Sequence, residues 1–279
     1  MKQKDGNENH SPDRTPREDR KTGSDDEIWD QAMEILDADD GKSLAEKKKA
    51  MAECLLGDEN PQITDMLVDF AMGEKQASDL KSRFWESGAV LGTGGGILLR
   101  DVQEEDQKGF FEIQRTYSEF SKILEHPSVR TMLWREHCGS KCLSCSIVVE
   151  GTYAGYCGIN NLTHSPWEIG IELLPEWTRR GIGYVAVSTM VREIRKRLGV
   201  REFCARIAPK NEASQRLFEK LGAVPGGLED FMPHVQELLP AGEEKPSTTD
   251  ASLQRAAEKF KVTPEELSGR ILRYRLTTE

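Results

Sequence analysis

The chain has 279 residues, a net charge of −10 and 37% apolar residues, which allows one core domain with additions, or two small domains, and leaves part of the chain outside any core. The acidity argues against general attraction to nucleic acid or anionic membrane. No apolar run approaches the roughly 20 residues of a bilayer-spanning helix, and the N-terminus is charged rather than signal-like, so a soluble cytoplasmic protein is expected.

Residues 1–24 are nearly all polar, with both charge signs and two prolines, and read as a disordered tail. A helical accessory region, 25–87, follows. Ser24-x-x-Glu27 forms a capping-box pattern before Ile28, Ala32, Ile35 and Leu36, and Ser43-x-x-Glu46 repeats it before Leu44, Met51 and Leu55, with Gly57 as a stop. Asn60-Pro61 opens a third helix through Ile63, Met66, Leu67 and Phe70 that Gly73 should end, and Leu80, Phe84 and Trp85 suggest a fourth. This region carries no catalytic pattern and reads as an accessory bundle open to a protein partner. Gly92-Thr93-Gly94-Gly95-Gly96 lacks nucleotide-loop spacing, so 88–96 reads as a flexible linker.

From Ile97 a larger domain, 97–279, begins. Ile97–Val102 reads as a strand, followed by an amphipathic helix through Phe110, Ile113, Tyr117 and Phe120 and a second helix over Val129–Trp134. Two β-rich segments, Cys142–Glu150 and Tyr153–Asn160, are joined at Glu150-Gly151-Thr152 as a hairpin. Ile169, Ile171 and Leu173 alternate as the buried face of a strand that Pro175 ends. Glu168 and Glu172 share its opposite face. Next come a helix from Gly181 with Val187, Val191, Ile194 and Leu198 at helical spacing and Gly199 as its cap, a strand Glu202–Ile207, and a helix from Asn211 to Leu221 before Gly222. Closing strands are expected at Ala223–Gly227 and Ile271–Leu276, with a helical insertion over about 229–270. Ala257–Leu267 within it also fits a helix-turn-helix, although Glu265 and Glu266 would face phosphates badly.

Six cysteines do not resemble a secreted disulfide framework, so reduced thiols are expected. Cys138, Cys142 and Cys145 have iron–sulfur spacing, but Cys142 and Cys145 would point to opposite faces of a strand. Packed thiols and no metal are therefore expected, with a zinc site involving His137 as the weaker alternative.

Between the strand ending at Leu174 and the next helix stands Arg179-Arg180-Gly181-Ile182-Gly183-Tyr184. Its glycines let backbone approach a ligand, and the helix mouth offers unpaired N–H groups with positive potential, a place for phosphate. This junction, together with Asn211-Glu212-Ala213-Ser214 leading to Leu221-Gly222-Ala223, resembles the acetyl-CoA loop and the Asn-capped helix of the GNAT superfamily of N-acetyltransferases. It is most similar to the branch acetylating protein N-termini and small amines. Two positions depart from the family pattern: Thr178 stands at the Gln/Arg position, and Phe218 where a tyrosine proton donor is usual.

The resemblance covers about 97–228 and implies an α/β (α+β) fold, a mixed, mostly antiparallel sheet flanked by helices. It also implies transfer of an acetyl group from acetyl-CoA, as acyl donor, directly to a primary amine in a ternary complex. The implied binding set is Leu173, Leu174, Arg179, Arg180, Gly181, Ile182, Gly183, Tyr184, Asn211 and Ser214, with an N–H of Leu173 or Leu174 facing the oxyanion. Glu168 is the first choice of base and Glu172 the second; Ser214 with a water could protonate the thiolate. The acceptor is a small amine, a protein N-terminus or a lysine. The alternatives are a degenerate acyl-CoA-binding scaffold and, as a weaker reading, DNA binding through 251–272.

Overall fold

The computed structural model of the chain describes residues 31, 34–35, 38, 40–43, 46–47, 49–51, 54, 61–86, 88–92, 96–117, 124, 126–230 and 251–278. The expected tail 1–24, the Ser24–Glu27 box, Ile28, Ala32, Leu36, Leu44, Leu55, Gly57, Asn60, Phe120 and insertion residues 231–250 lie outside them.

The chain divides into two compact units, 1–72 and 73–279. In the first, the Ser43–Glu46 capping box is formed: Ser43 N–H and Oγ both donate to Glu46 Oε2 (2.7 Å each), and Glu46 N–H donates to Ser43 Oγ (3.3 Å). Helix α1 (Pro61–Glu86) corrects one expectation, because it runs unbroken through Gly73 where a stop and a new helix were expected. A single helical glycine costs about 1 kcal/mol, and Ala77, Leu80 and Phe84, which pack into the core further along, outweigh it.

The second unit holds an eight-stranded sheet in the order β1-β2-β3-β4-β5-β6-β8-β7. Its strands are β1 (Val90–Gly92), β2 (Ile97–Asp101), β3 (Leu143–Val149), β4 (Thr152–Ile159), β5 (Trp167–Leu173), β6 (Glu202–Ile207), β7 (Val224–Asp230) and β8 (Arg270–Thr277). Every neighbouring pair is antiparallel except β5 and β6. Strand β1 is a second correction: part of the stretch read as a linker pairs with β2, Val90 opposite Arg100. The β3–β4 hairpin turns through Glu150 and Gly151, both at positive φ (51° and 82°), the geometry that matches strand twist.

Helices α2 (Gln107–Tyr117) and α3 (Pro127–Cys138) bring Phe110, Phe111 and Trp134 together against Tyr156 of β4. Helix α4 (Ile182–Leu198) joins the main core through Ala186, Val187, Met190 and Ile194, all fully buried, beside Ile169 of β5. In β5, Trp167 and Ile169 are buried in that core and Ile171 and Leu173, partly buried, pack against it, the face that the period-2 pattern predicted.

Helix α5 (Glu212–Lys220) follows β6, and helix α6 (Ala251–Phe260) lies alongside it, tied by Arg255 to Glu212 and by Lys259 to Glu219 (2.6 Å). No second helix follows α6. Glu265–Leu267 form a single 3-10 turn, closed by Thr263 N–H donating to Glu266 Oε2 (2.7 Å), and β8 starts at Arg270. The helix-turn-helix pattern is thus not built: Glu265 and Glu266, which would open its recognition helix, form only that single turn, and the chain then enters the sheet at Arg270.

Candidate active site

Strands β5 and β6 pair only at Trp167 with Phe203 and Glu168 with Cys204, and beyond that point they part. The register of β5 on β4 decides which backbone groups face the opening. Leu174 N–H donates to Ala154 O (2.9 Å) and Asn160 N–H to Glu168 O (3.0 Å). Gly155–Leu173 and Ile159–Ile169 are therefore non-hydrogen-bonded pairs, as is Cys157–Ile171 between them. The N–H groups of Ile169, Ile171 and Leu173 consequently point away from β4, that of Ile169 toward β6 at the last paired residues and those of Ile171 and Leu173 into the gap. This separates the two oxyanion donors expected from the sequence: Leu173 N–H faces the gap, whereas Leu174 N–H is already bonded to β4. The pairing needs glycine at 155, where a Cβ would stand 2.2 Å from Glu172 O.

At the wide end of the gap the chain turns into α4. Pro175–Trp177 form one 3-10 turn that Thr178 closes, its Oγ1 donating to Pro175 O (2.8 Å). Thr178 thus performs a local task of its own. Arg179 has φ 59°, a left-handed conformation that costs a non-glycine residue on the order of 1 kcal/mol or more, and Gly181, the N-cap of α4, has φ 79°. No side chain caps the helix, so the N–H groups of its first turn, Ile182, Gly183 and Tyr184, open outward. Gly183 allows close packing, since a Cβ there would lie 3.2 Å from Ile171 Cδ1. Arg180 lies over the Trp177 ring at 5.1 Å, and Lys220 over Tyr184 at 4.4 Å. The mouth fits a diphosphate: uncapped donors, positive helix potential and two exposed arginines meet there.

Across the gap, Asn211 caps α5 by accepting from Ser214 N–H (3.0 Å), which fixes its amide at the helix start. Phe218 is buried in the core and has no proton to give.

The two carboxylates of β5 lie four residues apart, about 13 Å, in different surroundings. Glu168 stands where β5 and β6 still pair. It accepts from Asn160 Nδ2 (3.0 Å), whose side chain lies over Gly170. Glu172 accepts from Tyr156 Oη (2.7 Å) and Gln114 Nε2 (3.1 Å), and Gln114 also reaches Tyr156 Oη (3.1 Å). Burial pushes the Glu172 carboxyl above the ordinary glutamate range, outweighing the two donors that lower it. This network draws on β4, β5 and α2, so no local pattern announces it. Tyr117, expected on the apolar face of α2, is instead 51% exposed and donates to Leu173 O at the edge of the gap (3.1 Å).

The three clustered cysteines share no site. Cys145 is buried in the core, the Cys142 thiol donates to Asn160 O (3.0 Å), and no disulfide joins any of the cysteines. His137 stacks on Phe110 (ring centroids 4.4 Å apart) and meets Tyr156 edge-on (4.6 Å). Among the described residues no three His, Cys, Asp or Glu side chains are grouped as metal ligands, and no helix is long and apolar enough to cross a membrane.

Residues 97–224 match the family model described as acetyltransferase (GNAT) domain. No curated protein sequence matches the chain significantly. Among solved structures, the chain is similar to Mycobacterium smegmatis RimJ in complex with CoA-disulfide (17% identity, 68% of this chain and 86% of that one, TM-score 0.46). A Bacillus anthracis GNAT-family acetyltransferase (14%, 67% and 98%, 0.45) and a Vibrio fischeri ribosomal-protein-S5-alanine acetyltransferase (13%, 69% and 98%, 0.45) are also similar.

Proposed function

We propose, from the match of residues 97–224 to the acetyltransferase (GNAT) domain model, that the chain transfers acetyl from acetyl-CoA directly to a primary amine held beside Glu172. The observation that carries this reading is the parting of β5 from β6 just below an uncapped helix mouth. The diphosphate of the donor sits on the N–H groups of Ile182, Gly183 and Tyr184, with Arg179 and Arg180 beside it. The pantetheine arm enters the gap next to Asn211 and Ser214. The gap-facing N–H groups of Ile171 and Leu173 pair with the arm and hold the negative charge that develops on the thioester oxygen.

A primary amine with a lysine-like pKa near 10.4 arrives protonated at neutral pH, and Glu172 takes its proton. The carboxyl fits because burial raises its basicity and two donors fix it next to the gap. The nitrogen lone pair attacks the thioester carbon, the C–S bond breaks as the nitrogen's surplus proton is lost, and the thiolate leaves; relayed through a hydroxyl at the gap, that proton reaches the sulfur and gives the amide and the free thiol. Tyr117, whose hydroxyl already stands at the gap, is the O–H group placed to return a proton, which Phe218 cannot do. Glu168 orders Asn160 at the closed end. The acceptor is a small amine, a protein N-terminus or a lysine.

The test measures thiol release from acetyl-CoA over a panel of amines and peptides, as a function of pH. Glu172→Gln is expected to lower kcat at least about tenfold and to abolish the acid limb of the profile, with CoA affinity kept. Glu168→Gln should retain that limb. An unchanged Glu172→Gln profile with a lost limb in Glu168→Gln would move the base to Glu168. CoA binding without thiol release on any acceptor would favour a non-catalytic acyl-CoA-binding protein.

A further inference from the structure

The last two turns of α2 carry Phe110, Gln114 and Tyr117 on one stripe, at helical spacings of four and three. Phe110 is buried with Phe111 and Trp134 against Tyr156, which docks the helix on the sheet. The next two places on the stripe are polar, and they act on consecutive residues of β5. Gln114 Nε2 donates to Glu172 Oε2 (3.1 Å), and Tyr117 Oη donates to Leu173 O (3.1 Å). Docking alone would be served by an apolar residue at 114, so the amide has a further task.

Gln114, Tyr156 and Glu172 close a triangle. One N–H of the amide goes to Tyr156 Oη (3.1 Å) and the other to Glu172 Oε2 (3.1 Å), while Tyr156 Oη donates to the same Oε2 (2.7 Å). A primary amide has two N–H donors, and both are used. Because Tyr156 Oη accepts from Gln114, its own single proton is directed to Glu172. Both bonds to the carboxylate end on Oε2, and no donor among the described residues reaches Oε1. The ionisable groups around this carboxylate are Tyr156 and Tyr153 of β4, Tyr117 of α2, and Glu176 of the turn after β5. Burial raises all three tyrosine hydroxyls, which keeps them neutral, and none of these groups supplies a positive charge.

We propose that Gln114 is a positioning residue for the base: by tying Oε2 of Glu172 to Tyr156, it presents Oε1 to the amine as the oxygen that takes the proton. The inference rests on the reading of Glu172 as the base. A carboxylate held through one oxygen keeps the other in a fixed place, and proton removal depends on that placement.

The experiment is a carboxyl-carbon NMR titration of Glu172 in the full chain, its resonance identified by its loss in Glu172→Gln, for the wild type and Gln114→Met. Methionine matches the length of glutamine and has no N–H to donate. Thiol release over the amine panel, CoA affinity and melting temperature are recorded for the same proteins. Glu172 is expected to titrate about one pH unit higher in Gln114→Met, because a donor favouring its charged form is gone. The acid limb of kcat should move up with it, and CoA affinity should stay. An unmoved Glu172 midpoint in a Gln114→Met protein that melts like the wild type would overturn the positioning role, while a persisting acid limb would leave Glu172 as the base. A limb that does not follow the Glu172 midpoint would overturn the base reading and this inference with it. Should Gln114→Met melt early, Gln114→Asn, whose amide stops one methylene short, must still raise the midpoint, and an unmoved midpoint there would equally overturn the role.

Discussion

Burial acts on two titratable side chains of the larger unit in opposite senses, raising Glu172 and lowering His137. The His137 imidazole, enclosed by Phe110, Trp134 and Tyr156, is lowered to about 4, mainly by burial with the Lys81 charge adding to it. Because its folded pKa lies below the ordinary 6.5, the unfolded chain takes up a proton first as the pH falls. Stability is then lost progressively between about pH 6.5 and 4. Melting curves across that window should show His137→Phe losing less stability on acidification than the wild type; parallel curves would remove His137 from the acid response. The sign for Glu172 is reversed, since its raised pKa makes the neutral form the stable one, and it opposes folding as the pH climbs past the ordinary glutamate value of 4.5. A buried carboxylate costing stability at neutral pH is what a functional base looks like, and it is why we favour Glu172 over Glu168.

At the scale of elements, the sequence was most legible where a local rule fixes the outcome. Period-2 alternation located β5, the two-residue turn at Glu150-Gly151 located a hairpin, and Asn211 opened α5 as an N-cap. It was silent where partners come from far along the chain. The pairing of Tyr156 with Glu172 depends on the β4–β5 register and Gln114 on the docking of α2, and neither has a local signature. Gly73 and the glycine run at 92–96 misled for one reason. Glycine marks where a chain can turn, but packing decides whether it does, so α1 passes through Gly73 and β1 pairs beside the run. The end of α1 shows such long-range control. Arg197 of α4 donates to Phe84 O and, at 3.2 Å, to Gly88 O, and its guanidinium lies 5.1 Å from the Phe84 ring. Arg197→Ala removes these bonds from a half-buried site, and chemical denaturation should register a loss of about 1.5–3 kcal/mol. A loss below about 0.5 kcal/mol would mean that water replaces the arginine.

For the whole molecule, the sheet does two things with one irregularity. It is continuous from β1 to β7 in hydrogen bonding, yet the only parallel pair among the described residues, β5 with β6, holds for two residues and then opens. That opening aims the N–H groups of two β5 residues, Ile171 and Leu173, into the gap, and the helix following β5 begins at its wide end with its own donors uncapped. The additions leave this arrangement alone: α6 docks on α5 through Arg255 and Lys259, and β8 inserts between β6 and β7. All of the chemistry proposed here therefore follows from CoA lying across the mouth of α4. The most direct test is CoA affinity of the full chain and of Gly181→Asp. A Cβ at 181 meets no atom within 4 Å, and aspartate enters the left-handed region more readily than most residues, so the fold should persist. The carboxylate would nevertheless stand at the helix mouth in place of the diphosphate. We expect wild-type binding and at least about a hundredfold loss in Gly181→Asp, about 2.7 kcal/mol, with little change in melting temperature. Equal binding by the two proteins would contradict the account.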